Sequence, residues 1–479
     1  MEPRRRRLLT RLVLIALTVV TGVFLGVWQL RPPGVDTGSP DHPADLSMTA
    51  NVARFAVTPH PAGSPAIEAV RTGILAEIRA MGLNPVVEEA SYTQAEILAL
   101  WLEELGIATL DELWERSKDA AAEYLDIHDR ETYFEYVTGV KAGETLVLRN
   151  ILVMIDAPGT DRGVMFVAHY DSTEHGPGAG DDMVGVCALL EAMRDQAANP
   201  KLKTDLYFLL TDAEEDGLLG ARAFAARHPA MKAFLDAVVN FEARGNRGGL
   251  LLFQTSGMAY SLVKSVIQSG ADPIGMSWLV TVYDMMPNDT DLTVFLGEGY
   301  RAINFAVVEG VEAYHQPADS YDNLNRDTAW QYLRTALALV RTAGAGTLES
   351  EPTSDAVFFM FLPGRMVLMT GWVSALIGAL AGVAGVGAAL WDQRKHRLTM
   401  LRAIRRGLFV AVTVTALVIF PSGAFLLYIP LIGAAVTGGL RGHRLAHTAA
   451  WVVTGLVTLL LWVPVGFAAW VGLIQPMLI

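Results

Sequence analysis

Seven short, almost continuously apolar runs recur between residues 148 and 310: LRNILVMID, GVMFVAHYD, TDLYFLLTDAEE, DAVVNFEARG, GLLLFQTS, SWLVTVYDM and AINFAVVEG. Unbroken apolar runs, rather than alternating ones, suit strands covered on both faces. Helical stretches lie among them, and strands alternating with helices argue for an α/β fold, a mostly parallel sheet with helices on both faces. In such sheets ligands bind at the loops leaving the carboxyl ends of the strands. The ends of these runs are therefore the place to look for chemistry.

Four of them end in metal-type donors. GVMFVAHYD delivers His169 and Asp171 and leads, through the Gly/Pro text HGPGAG at residues 175–180, to Asp181 and Asp182 and an apolar helix from about Met183. LLTD is followed by Glu214 and Glu215, VVNF by Glu242, and the last run by Tyr314, His315 and Asp319. Each feature alone has an ordinary structural explanation; paired glutamates at a helix start, for instance, suit the helix dipole. An ordinary explanation would have to hold for four loops separately. His169, His315, Asp181, Glu215 and Glu242 make five donors. A single catalytic zinc needs about three protein ligands and an open position, so five overfill one ion and suit two ions sharing a carboxylate, with a hydroxide held between them. Such ions also make a cluster of carboxylates tolerable. Glu214, next to a ligand but not needed as one, is the natural general base. Asp171 is placed to accept the free N–H of His169 or to support the metals from behind. Asp182, Asp289, Asp291 and Asp319 stay unassigned.

The pattern His169-Tyr-Asp171, Gly180-Asp181-Asp182-x-x-Gly185, Glu214-Glu215-x-Gly217 and Tyr314-His315 followed by Asp319 resembles the di-zinc exopeptidase family of bacterial aminopeptidases, glutamate carboxypeptidases and glutaminyl cyclases. The resemblance covers roughly residues 50–345. It implies that Asp181 bridges two zinc ions, that Glu215 and His315 complete one and His169 and Glu242 the other, and that Glu214 is the base. Glu242 stands where many relatives carry Asp. HPAGSP (60–65), NFEARGN (240–246) and PNDTDLTVF (287–295) are similar to the endoplasmic-reticulum metallopeptidase and fungal vacuolar membrane protease branch, as is the expected membrane anchoring.

The flanks bring in composition. With 52% hydrophobic residues and a mean hydropathy of +0.33, the chain is too apolar to be wholly soluble. Residues 12–30 are an apolar run behind an arginine cluster at positions 4–7, which predicts an uncleaved anchor over 1–31 with the arginines cytoplasmic. Residues 32–45 read as a linker, 46–350 as an extracytoplasmic zinc peptidase domain, periplasmic or lumenal, with an acidic helical insertion at 93–138. Residues 356–479 read as a multispan membrane domain with runs at 366–391, 408–440 and 451–473, the middle one turning back at Pro421–Gly423. Its basic loops, Arg394 to Arg406 and then Arg441 and Arg444, belong on the cytoplasmic side. A net charge of −13 argues against a nucleic-acid partner. The single cysteine, Cys187, reads as core filler.

These features predict an integral-membrane zinc metallopeptidase acting on peptides, most readily an aminopeptidase. The alternatives are a carboxypeptidase or dipeptidase on the same site, a single-zinc glutaminyl-cyclase-like acyltransferase, and a non-catalytic scaffold of the same fold. The last should have lost ligands, and this chain retains them all.

Overall fold

The computed structural model describes residues 43–376, apart from residues 198, 200, 272, 285, 287, 363 and 364. The expected N-terminal anchor (1–31), most of the expected linker (32–45) and the expected membrane segments beyond 376 lie outside the described residues. No helix among those described is long and apolar enough to cross a membrane. The chain forms two compact units; of the described residues, the smaller holds 274–286 and 352–376, and the larger 43–273 and 287–351.

In the smaller unit strands Ala356–Leu362 and Arg365–Thr370 pair antiparallel. The Ser277 hydroxyl takes the Phe358 N–H at 2.7 Å. Two expectations change here. SWLVTVYDM is not a strand but contains the helix Ser277–Tyr283, because a short apolar run carries no period that separates the two. The expected span at 366–391 begins within a β-hairpin rather than a helix.

Seven strands of the larger unit lie in one sheet: β1 (Val86–Thr93), β2 (Thr145–Ile155), β3 (Gly163–His169), β4 (Asp205–Thr211), β5 (Leu235–Ala243), β6 (Leu251–Thr255) and β7 (Ala302–Val307). Their order is β1-β2-β4-β3-β5-β7-β6. The middle four, β4-β3-β5-β7, are parallel. β1, β2 and β6 run antiparallel to their neighbours, so the sheet is mixed rather than mostly parallel. Burial explains the division. β3 and β4 are buried at every residue, whereas β1 alternates between exposed and half-buried positions, and an antiparallel edge tolerates one wet face. β1 carries two glutamates among its first four residues, too polar to stand out as a strand in the sequence.

Helices cover both faces of the parallel core, as expected. On one face Met165, Val167, Leu209 and Val238 pack with Phe224 of helix Leu219–Arg227 and with Leu292 and Phe295 of helix Asp291–Gly297. On the other, Phe241 stacks on Phe305 at 5.8 Å between ring centroids and meets Tyr332 of helix Arg326–Gly344. Phe305 is fully buried. Phe305→Ala is expected to cost about 3–5 kcal/mol, because the neighbouring rings cannot collapse into the space. That corresponds to a fall in thermal midpoint of about 5–8 °C for a cooperative unit of about 300 residues, and a shift under about 2 °C would contradict this packing.

Three helices, Gln94–Leu105, Leu110–Tyr124 and Arg130–Thr138, occupy the expected acidic insertion. Each has a side-chain cap at its start: Thr93 in a capping box with Glu96, Thr109 accepting from Glu112 N, and Asp129 accepting from Thr132 N. Leu98, Ile107, Leu113 and Phe134 form a small core of their own. The strands on either side pair antiparallel, Thr93 opposite Thr145, so the chain leaves and re-enters the sheet at one point.

Candidate metal centre

The parallel register of β3 and β5 sets Val167 beside Asn240, and two residues further along the same face come His169 and Glu242. His169 Nε2 lies 3.6 Å from Glu242 Oε1 and 3.2 Å from Asp181 Oδ1. On the other side of Asp181, Oδ2 lies 3.6 Å from His315 Nε2, which is 2.9 Å from Glu215 Oε2. The five donors thus fall into two groups, His169–Asp181–Glu242 and Asp181–Glu215–His315, each with ligand atoms within 4.8 Å of one another. Asp181 belongs to both and turns one oxygen toward each.

These atoms are only partly paired, His169 Nε2 sharing a hydrogen bond with Asp181 Oδ1. Glu242 Oε2 and His315 Nε2 are buried and make no hydrogen bond, despite the short approach of His315 to Glu215. Carboxylate oxygens and imidazole nitrogens that converge without pairing are aimed at a common third point, as ligands of a cation are. The electrostatics agree. Burial pushes the Glu242 carboxyl up to about 8 and, joined by the charge of Glu242, lifts Glu214 well above the usual carboxylate range. Burial acts to lower His315, but the charges of Glu215 and Asp181 outweigh it and raise the imidazole to about 10. Burial acts to raise Asp181, yet its hydrogen bond to His169 and the neighbouring His315 imidazole hold it below its ordinary value. Binding a divalent cation here would displace protons from these groups. The residues therefore fit two such ions.

Each donor has a structural reason to be where it is. Glu214 and Glu215 follow β4, whose end is fixed by Asn150 of β2: its Oδ1 accepts Asp212 N at 3.1 Å. Glu242 lies inside β5, and the Tyr332 hydroxyl donates to its backbone carbonyl. His315 follows β7 through a short helical turn, its ring stacked on Tyr314 at 3.6 Å, and the Arg244 guanidinium sits 4.9 Å over Tyr314. Before Asp181, Gly178 adopts φ +66, and a Cβ at Gly180 would meet Gly245 O at 2.7 Å. The HGPGAG text supplies the left-handed backbone and the close approach that this path needs.

Asp171 sits behind the donors. Its backbone carbonyl is 3.1 Å from His169 Nδ1, which fixes the tautomer with Nε2 free to face the ions. Its carboxylate is 3.4 Å from the same nitrogen and accepts the backbone N–H groups of Glu214 at 3.1 Å and Glu215 at 3.2 Å. Of the aspartates left unassigned, Asp289 is exposed, while Asp182 is buried with both carboxylate oxygens lacking a hydrogen bond. Asp291 accepts from Thr211, and Asp319 reaches the backbone beside Asp181. Only the long sequence separations of these contacts kept them out of sight, since nothing local marks an acceptor for a distant N–H.

Residues 150–340 match Peptidase family M28. Among curated relatives, the chain is 27% identical to endoplasmic reticulum metallopeptidase 1 of Mus musculus over 50% of this chain and 28% of that protein. It is 33% identical to vacuolar membrane protease of Sclerotinia sclerotiorum over 40% of this chain and 18% of that protein. The chain therefore matches well under half the length of either relative. Among solved structures, an aminopeptidase from Aneurinibacillus sp. strain AM-1 is similar at TM-score 0.48 and 16% identity, over 65% of this chain and 97% of that one.

Proposed function

With residues 150–340 matching Peptidase family M28, we propose that this chain is a membrane-anchored, zinc-dependent exopeptidase, an aminopeptidase, using two zinc ions. The observation that carries the reading is the pair of three-donor groups sharing Asp181, both complete, with Glu214 beside them. A single zinc ion would take its ligands from one of the two groups and leave the other without an ion.

When bound, the zinc ions supply Lewis acidity toward the scissile carbonyl and lower the pKa of water. The chain's own part is positioning and proton transfer. His169 and Glu242 on one side and Glu215 and His315 on the other would hold the ions, with Asp181 serving both groups. Glu214 is buried, and its carboxyl is pushed up by burial and by Glu242, so it both takes a proton from water and gives one to a departing amine. Asp171, gripping the backbone of both glutamates, keeps the Glu214 side chain aligned with the reacting atoms. The expected anchor over 1–31, with its arginines on the cytoplasmic side, supports a site outside the cytoplasm that acts on peptides.

The reading is tested by incubating the purified full chain with a mixed peptide library and following masses. Residues should disappear one at a time from the N-terminus, and chelator should stop the loss until zinc is restored. Shortening from the C-terminus would replace aminopeptidase by carboxypeptidase. Loss of ammonia from N-terminal glutamine without shortening would mark the cyclase instead.

A further inference from the structure

Asp319 is almost completely buried, four residues beyond His315, and its carboxylate meets backbone rather than a basic side chain. Oδ1 accepts Gly180 N at 2.8 Å, and Oδ2 accepts Asp181 N at 3.1 Å. A third bond comes from its own carbonyl, which accepts Ala179 N at 3.1 Å. Three successive N–H groups leading into Asp181 therefore end on this one residue. Gly180 makes the approach possible, since a Cβ there would meet Asp319 Oδ1 at 2.9 Å. The geometry repeats that of Asp171, which takes two successive N–H groups at Glu214 and Glu215.

We infer that Asp319 is a positioning residue for the shared metal ligand, clamping the backbone of Asp181 so that its two carboxylate oxygens face the two donor groups at once. Asp181 Oδ1 faces His169 and Oδ2 faces His315, and the short side chain leaves little reach to make up for a displaced backbone. A carboxylate accepts from two adjacent N–H groups in one plane; an amide accepts from one and turns its own N–H against the other. Because the clamp comes from the loop that carries His315, it also ties the ligand of one group to the ligand common to both. Groups that orient ligands in this way typically change metal affinity about 10–100-fold when altered.

The assignment rests on the two-ion reading above, and a zinc titration tests them separately. The full chain is stripped of metal and titrated with zinc against a chromogenic chelator, as wild type, Asp319→Asn, Gly180→Ala and, as control, Asp322→Asn at an exposed position nearby. Wild type and D322N should take up two zinc ions with the same constants. D319N and G180A should hold at least one ion about 10–100-fold more weakly, while the metal-free D319N melts close to metal-free wild type. A role confined to folding would give the reverse, a lower melting point with unchanged zinc constants. Zinc constants equal to wild type in D319N overturn the inference. Should D319N not fold, G180A, which displaces the clamp without removing it, decides on the same constants. A wild-type chain that binds no zinc sinks the metallopeptidase reading itself.

Discussion

Glu214→Gln is expected to lower kcat about 10²–10⁴-fold while leaving the zinc content unchanged. The amide has the shape of the carboxylate and keeps the backbone N–H that Asp171 accepts, so neither the loop nor the donor groups should move. What it cannot do is take a proton from the attacking water and pass it to the leaving amine. Glu214 is 8% exposed, so no bulk base can readily stand in. KM should change little, because the lost interaction belongs to the transition state. Parallel zinc analysis separates this outcome from a damaged metal site. A Gln variant with full zinc and wild-type kcat would remove Glu214 from the mechanism.

Asp181→Ala should have the broader effect. It deletes the one donor common to both groups and leaves His169 facing Glu242 and His315 facing Glu215, two donors for each ion. Two-donor sites hold zinc poorly, so the variant should lose most of its metal and with it at least about 10³-fold in activity, several kcal/mol of transition-state stabilisation. His315→Ala, which removes a donor from one group only, should lose one ion and retain the other. If D181A kept two ions bound, the shared-ligand arrangement would be wrong.

How much of this could be read from the sequence depended on how far the relevant interaction reached. His169, Glu214, Glu215 and Glu242 lie at the ends of unbroken apolar runs, so reading those runs as buried strands placed them on one rim of a sheet. His315 was legible for the same reason, although eight residues separate it from the end of β7. The helices at 94–138 were announced by their acidic amphipathic text. The antiparallel edges were not, because direction is set by which strand a run meets, and β1 has too polar a text to be counted at all. The apolar run at 277–285 read as a strand but holds the helix Ser277–Tyr283, since so short a run carries no period to tell the two apart. Asp171 and Asp319 were visible as acidic residues, but their function is to accept N–H groups from segments more than forty and more than a hundred residues away. The sequence carries the donors; only the fold shows what holds the donors still.

The register of β1 and β2 has a consequence for how such a peptidase can diversify. Since Thr93 and Thr145 face each other across the ladder, everything from 94 to 144 is a detachable cassette on a closed hairpin, and its length hardly matters to the sheet, because closing a longer loop costs only slightly more entropy. The cassette does not stand apart from the chemistry, however. Its Ile97 and Val140 pack with Ala213 and Leu219, on either side of Glu214 and Glu215, and the indole of Trp101 lies against Gly217. Exchanging the cassette would therefore redraw the surroundings of the general base and one metal ligand without altering a donor. A lineage could retune its choice of peptide by trading helices while inheriting the reaction intact.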